Sequence, residues 1–298
     1  MPKKFTKWWI LVENLPKKFI HERGDKIETC IFYKEKDKQE ITVGFSKKDF
    51  SIHSGISGLK YYLIIMYMRK HVEHFGEINT TLNKMVDECG YFSKSHNQSS
   101  YIDFRSIIKE EVIDKGYATS KDNIMKVQPS SLFTLKLSEE KSIFYTDDNF
   151  VQLSIQEFEK LMQPSTQSIN KSVLIGAYLF IKQYILSSDV ESHLPKISYP
   201  SKQQIKKGIG VSSITTIEKA ISALVELGLI FVSENMYMED SKNKGVYVPT
   251  RNVYAISKAD LIVDACANEL QRVYGKHIYT KANVPGEIQY LTKKQNNN

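Results

Sequence analysis

Between Ser201 and Ile230 the chain carries hydroxyl and lysine side chains at a spacing that offers hydrogen bonding rather than covalent chemistry. Ser213, Thr215, Thr216, Lys219 and Ser222 fall on one face of a helical pattern whose other face is Ile214, Ile217, Ile221, Leu224 and Val225. Short hydroxyls and one long cation reach polar edges and phosphate oxygens without crowding them, as a helix lying in a major groove requires. Ser212 adds a hydroxyl at the start, and Lys202, Lys206 and Lys207 flank the face with charge suited to phosphate. Bond-making groups do not fall into working patterns. No glycine-rich loop ends in Gly-Lys-Ser/Thr, and no His-x-His pair accompanies a tyrosine nucleophile, so neither NTP-driven work nor strand nicking is expected. His71 and His74, with Glu73 between them and Cys89 downstream, lack a complete ligand motif and read as an ordinary helix end rather than a metal site. The expectation is a non-enzymatic protein with no cofactor and no metal.

The elements that must hold this face are marked by punctuation residues. Pro200 keeps the preceding chain out of helix, and Ser201 with Gln204 three positions on forms the pattern of a capping box. Gly208 and Gly210 allow a sharp turn, with Ile209 and Val211 tucked inward, and Ser212 or Ser213 can cap the second helix. After Leu227-Gly228-Leu229-Ile230 come strand patterns at Phe231-Val232 and Met236 to Met238, a polar tip from Glu239 to Gly245, and returning strands at Val246 to Val248 and Asn252 to Ile256. Helix, turn, helix and hairpin over Tyr199 to Ile256 make the pattern of a winged helix-turn-helix, with Lys242, Lys244 and Arg251 as wing cations that could meet DNA.

A weaker copy precedes it. An apolar helix over Gly58 to His74, a second near Thr80 ended by Gly90, a third over Tyr101 to Gly116, and β-rich segments at Leu132 to Leu137 and Ser142 to Tyr145 follow the same order. Ser100 with Asp103 resembles a capping box. Aligning Gly116 with Gly228 sets Ile102 on Ile214, Val112 on Leu224 and Ile113 on Val225, but Arg105 and Lys109 fall against Ile217 and Ile221, so a one-residue shift is needed. In the second half, Phe150 to Leu153 reads as a strand, Ser154 to Met162 as a short helix and Lys171 to Leu186 as an apolar helix.

Composition bounds the rest. A length of 298 residues predicts two modest domains with their own cores. The expected fold class is α+β, mainly helical: a small β-rich segment over 1–50, winged-helix domains over 51–146 and 147–275 in tandem, and a polar flexible tail over 276–298. The adjacent Trp8 and Trp9 read as anchors of a small core rather than a stacking platform. The segment Lys258 to Tyr274 reads as an amphipathic helix that packs on the wing domain or serves as a homodimer surface. The formal charge of +7 favours a polyanionic partner, and arginine occurs only at Arg23, Arg69, Arg105, Arg251 and Arg272. Three widely spaced cysteines, Cys30, Cys89 and Cys266, argue against a disulfide framework or zinc cluster. The longest apolar run, Tyr61 to Met68, is too short to cross a bilayer, and Met1-Pro2-Lys3-Lys4-Phe5 leads into no apolar stretch, so a cytoplasmic location without a membrane partner is expected.

The run Ser-Lys-x-x-Ile-x-x-Gly-Ile-Gly-Val-Ser, followed by Thr-Ile-x-x-Ala-Ile-x-x-Leu-x-x-Leu-Gly-Leu-Ile, resembles the winged-helix domains of plasmid and phage replication proteins from low-GC Gram-positive bacteria. The likeness covers residues 147–260 well and 55–145 loosely, and two winged helices in tandem would look like the theta-type replication initiators. That resemblance implies binding of double-stranded DNA at repeated origin sequences and recruitment of host replication proteins. It also implies that Ser99, Ser100, Tyr101, Asp103, Arg105, Ser106 and Lys109 form the outward face of a first recognition helix. The same motif serves transcriptional regulators and winged-helix modules that bind protein, and those remain the alternatives.

Overall fold

The computed structural model describes residues 22–23, 26–27, 41–91, 98–145, 150–166, 168–185, 196–234 and 236–288. The chain divides into residues 1–39 and 40–298. Of the first unit the structure describes one antiparallel pair, β1 (Glu22–Arg23) with β2 (Lys26–Ile27). Most of the β-rich segment expected over 1–50, including the Trp8-Trp9 pair, lies outside the described residues.

The second unit is an α+β body, mainly helical with small sheets. It opens with β3 (Thr42–Ser46), two single-turn helices α1 (Asp49–Ile52) and α2 (Gly55–Gly58), and the apolar helix α3 (Lys60–His71). Then come β4 (Glu77–Thr80), α4 (Leu82–Glu88), α5 (Gln98–Ile107), which continues as a π-helical turn through Ile108–Ile113, β5 (Ala118–Thr119) and β6 (Phe133–Leu137). The second half runs β7 (Phe150–Ser154), α6 (Ile155–Leu161), α7 (Lys171–Lys182), β8 (Ile197–Ser198), α8 (Lys202–Gly208) and α9 (Ile214–Glu226). It ends with β9 (Phe231–Ser233), β10 (Met236–Glu239), β11 (Val246–Pro249), β12 (Val253–Ala255), α10 (Val263–Tyr274), β13 (Ile278–Thr280) and β14 (Glu287–Ile288).

The two halves repeat one local plan. Their three-stranded sheets have matching orders, β4-β6-β5 and β8-β12-β9, in which the strand before the helix pair and the strand just after it flank a later central strand. Thr81 and Ser201 cap α4 and α8 by accepting from the backbone N–H three residues on. Nine residues after each cap, Gly90 and Gly210 take left-handed backbone (φ 79° and 70°) and close equivalent turns: Tyr91 N–H donates to Val86 O, and Val211 N–H to Lys206 O. Gly116 and Gly228 end α5 with its π turn and α9 through another matched pair of bonds, Tyr117 N–H to Val112 O and Leu229 N–H to Leu224 O.

The one-residue mismatch seen in the sequence has a structural cause. The π turn over Ile108–Ile113 accommodates one residue more than an α-helix would. Burial therefore matches Tyr101, Phe104, Ile108 and Val112 of the first half to Ile214, Ile217, Ile221 and Leu224 of the second, all of them buried except Ile214, which is half-buried. Ile102, aligned on Ile214 by counting back from Gly116, is instead 51% exposed.

Three further expectations change. The halves share one hydrophobic cluster from Val43 to Tyr254 instead of keeping separate cores. Tyr61 to Met68 of α3 and Lys171 to Ile181 of α7 are buried on every face, and such helices can only be covered by each other and by the shell around them. Leu59, just ahead of α3, approaches α7 so closely that a Cβ on Gly176 would stand 2.7 Å from its Cδ2. Next, β3 pairs antiparallel with β7, Thr42 against Ser154 and Ser46 against Phe150, so residues 42–46 belong to the main body rather than to an N-terminal segment. Finally, part of the expected flexible tail is ordered sheet: β13 pairs with β10 and β14 with β11, driven by the alternating β-branched and aromatic residues Ile278-Tyr279-Thr280. Residues 289–298 lie outside the described residues.

Among the described residues no helix is long and apolar enough to cross a membrane.

Candidate nucleic-acid interface

The site is built on α9. Ser201 and Gln204 form the full capping box of α8, with Gln204 N–H to Ser201 Oγ at 3.1 Å and Ser201 N–H to Gln204 Oε1 at 2.8 Å. The chain then turns at Gly210, and Ser213 caps α9 by accepting from Thr216 N–H at 3.4 Å. The turn is braced from outside: Gly55 N–H donates to Ile209 O at 2.8 Å, which ties it to the start of α2. Ile205, Ile209, Val211, Ile217, Ala220, Ile221 and Leu224 bury the inner side of the pair. Two alanines, Ala220 and Ala223, centre the inward stripe, so Val225, expected inside, is rotated to the rim and is 42% exposed.

The outer face holds the residues expected there. Ser212, Ser213, Thr215, Lys219 and Ser222 are exposed and Thr216 is half-buried. Ser222 marks the far edge, since it lines a shallow groove with Glu226 and Glu234, whose charge would repel phosphate. Lys207 is exposed and Lys206 half-buried, and neither has an ion-pair partner among the described residues. Lys202 differs: its Nζ lies 3.1 Å from Glu218 Oε1, so it links α8 to α9, a half-exposed pair worth roughly 0.5 kcal/mol.

The hairpin follows as β10 and β11, Tyr237 opposite Pro249 and Glu239 opposite Tyr247, with its tip at 240–245. Lys242 and Lys244 are exposed on that tip. The tip's carboxylates are turned onto its own donors: Glu239 Oε1 accepts from Gly245 N–H at 2.8 Å, and Asp240 accepts from Lys242 N–H at 3.3 Å and Asn243 Nδ2 at 2.7 Å. Those bonds hold the Asp240 carboxyl below its ordinary pKa. Arg251 is not brought to the tip; it sits past the far end of β11 with its guanidinium 6.0 Å from the Tyr274 ring centroid.

The first half does not present the face implied for it. Ser100 and Tyr101 are buried, and the Tyr101 hydroxyl donates to Asn83 Oδ1 at 2.6 Å. Arg105 Nη2 donates to Val127 O at 2.6 Å, Lys109 pairs with Asp114, and Asp103 receives Lys60 Nζ at 2.5 Å and the Ser57 hydroxyl at 3.1 Å. The capping box read from Ser100 and Asp103 is therefore not formed: α5 already begins at Gln98, and Asp103 serves the nearly buried Lys60 ammonium instead. Ser99 and Ile102 are exposed, Ser106 is half-buried, and Glu110 adds exposed negative charge.

No three His, Cys, Asp or Glu side chains gather into a metal-binding group among the described residues. His71 Nε2 instead lies 2.6 Å from Glu88 Oε2, and the buried Cys89 thiol donates to Leu63 O at 3.6 Å, with burial pushing its pKa up. No protein-family model matches the chain, and no curated protein is similar to it.

One group that the sequence reading missed lies beside the hairpin tip. Lys276 falls at the start of the expected polar tail, yet its Nζ reaches Ser241 Oγ at 2.7 Å and Glu239 O at 3.2 Å. The strand alternation directly after it, Ile278-Tyr279-Thr280, was the available signal.

Proposed function

We propose that the chain is a double-stranded DNA-binding protein built from two winged helix-turn-helix units, in which the second reads sequence through α9. The observation that carries this reading is the outer face of α9: Ser213, Thr215, Thr216, Lys219 and Ser222 stand clear of the core on a helix capped, turned and braced at its N-terminal end. Hydroxyls of this length serve base edges and phosphates, and Lys206 and Lys207 add backbone contacts on the preceding helix. The matched caps, glycine turns and sheet orders of the two halves support a tandem arrangement.

Within that reading the role is replication initiation at repeated origin sequences, with host replication proteins as further partners; its support is the resemblance of the Ser201 to Ile230 run to replication-protein winged helices. The first half favours contact with protein, because the residues that would read bases there are buried or bonded internally, leaving Ser99, Ile102 and Glu110 outermost. Sequencing the DNA beside the gene separates the two DNA-binding roles. Tandem repeats one or two helical turns apart support an initiator, and a short palindrome over a promoter supports a transcriptional regulator. Absence of both patterns, with no duplex bound in a gel shift, would leave only the protein-binding alternative.

A further inference from the structure

We propose that the segment following the β10–β11 hairpin completes a phosphate-backbone contact at the hairpin tip, with Lys276 as its third cation beside Lys242 and Lys244. This rests on the duplex-binding reading above and names the contacts within it.

An isolated two-stranded hairpin is marginally stable in water. Here β10 and β11 are the inner strands of a four-stranded sheet, β13-β10-β11-β14, so the C-terminal segment flanks the hairpin on both edges. Helix α10 backs that sheet through Cys266 and Leu270, which join Met236 and Ile278 in a second small core. The helix ends at Gly275 in left-handed backbone (φ 62°), which redirects the chain along the tip. Lys276 then bonds Glu239 O and Ser241 Oγ on one side. On the other, Gly286 lies so close that a Cβ there would stand 2.3 Å from Gly245 O. The tip is held from both sides before any ligand arrives, which lowers the ordering cost of a contact made there.

Three lysines stand at the tip against two carboxylates, Glu239 and Asp240, whose oxygens accept from the tip's own donors, so positive charge is in excess there. Both acceptors of Lys276 are uncharged, and an ammonium has three protons, so one donor remains. Among the described residues Lys242, Lys244 and Lys276 have no carboxylate within ion-pair range. Arg272, one helical turn away, is different: it forks onto Glu269 at 2.6 and 3.0 Å and is neutralised there. The ligand class is the phosphodiester backbone, because compact lysine charges on a fixed tip carry no base information.

The test is the salt dependence of binding. Full-length protein is titrated into a labelled mixed-sequence duplex by fluorescence anisotropy over a range of KCl concentrations, for wild type, Lys276→Gln and Lys276→Arg. Each phosphate contact contributes about 0.9 to the slope of log K against log salt. Lys276→Gln is expected to flatten the slope by about that amount, and Lys276→Arg to restore it. Restoration by Arg separates a charge contact from loss of tip geometry, which either substitution would disturb. An unchanged slope in Lys276→Gln, or no recovery in Lys276→Arg, overturns this inference while a salt-dependent wild type leaves the duplex-binding reading intact. A wild type that binds no duplex overturns both.

Discussion

Replacing Gly210 by alanine should cost far more stability than the same change at Gly228, and the difference measures how tightly the α8–α9 turn is braced. Both glycines have left-handed backbone, φ 70° and 64°, so each alanine pays a strain of about 1 kcal/mol. A Cβ on Gly228 would meet nothing within 4 Å, and the cost stops there. At Gly210 the new atom would stand 2.6 Å from Gly55 N and 3.0 Å from Ser54 Cβ. Relief requires moving backbone, which breaks the 2.8 Å bond from Gly55 N–H to Ile209 O, worth about 1 kcal/mol, and adds an overpacking cost of about 1 kcal/mol or more. Gly210→Ala is therefore expected to lose about 3 kcal/mol against about 1 kcal/mol for Gly228→Ala. Urea unfolding followed by circular dichroism reads this as a clear separation of midpoints at unchanged slope. Equal losses in the two variants would refute the claim that the segment before α3 supports the turn.

The remaining predictions follow the same geometry. Gly208→Ala would place a Cβ 1.9 Å from Phe180 Cε2, so it should destabilise by about 2 kcal/mol, and Phe180→Leu in the same chain should recover part of the loss in a double-mutant cycle. Burial lowers the pKa of Lys171 from 10.5 to about 8, so between those values the folded protein has shed a proton that the unfolded chain keeps. Wild-type stability should therefore rise relative to Lys171→Met as pH climbs from 8 towards 10.5, by up to about 3 kcal/mol, and a flat difference in chemical denaturation across that range would contradict it. Arg105→Ala should lower the melting temperature, because it abandons the Val127 carbonyl, yet leave duplex affinity unchanged by anisotropy. Lys206→Gln with Lys207→Gln should weaken binding evenly across duplex sequences, whereas Thr216→Ala should reduce discrimination among them in competition assays.

The second helix pair was legible in the sequence because each of its boundaries rests on a local rule. Ser201 and Gln204 cap, Gly210 turns, Ser213 caps again, and the hydroxyl face sits opposite an apolar stripe. The first pair misled for a physical reason: the π turn at Ile108–Ile113 shifts the inward side by one residue, and no residue type announces such an insertion. Counting back from Gly116 thus put Ile102 inside and Tyr101 outside, the reverse of their burial. The shared core was hidden for another reason. Tyr61 to Met68 and Val173 to Ile181 are too uniformly apolar to show a face, and only tertiary contact reveals that each helps cover the other. The C-terminal strands were missed because Ile278–Thr280 and Glu287–Ile288 are short, and their pairing partners lie 40 or more residues earlier in the chain.

The central claim is that the outer face of α9 reads duplex DNA. Its most direct test is selection from a random duplex library with wild-type protein, followed by anisotropy of the selected duplex with wild type and with Thr216→Ala/Lys219→Glu. Wild type should enrich a shared motif and bind it with steep salt dependence, while the double variant keeps its thermal transition and loses the preference for that motif. No enriched motif, or equal affinity and discrimination in the folded double variant, would contradict the assignment of α9 as the reading helix.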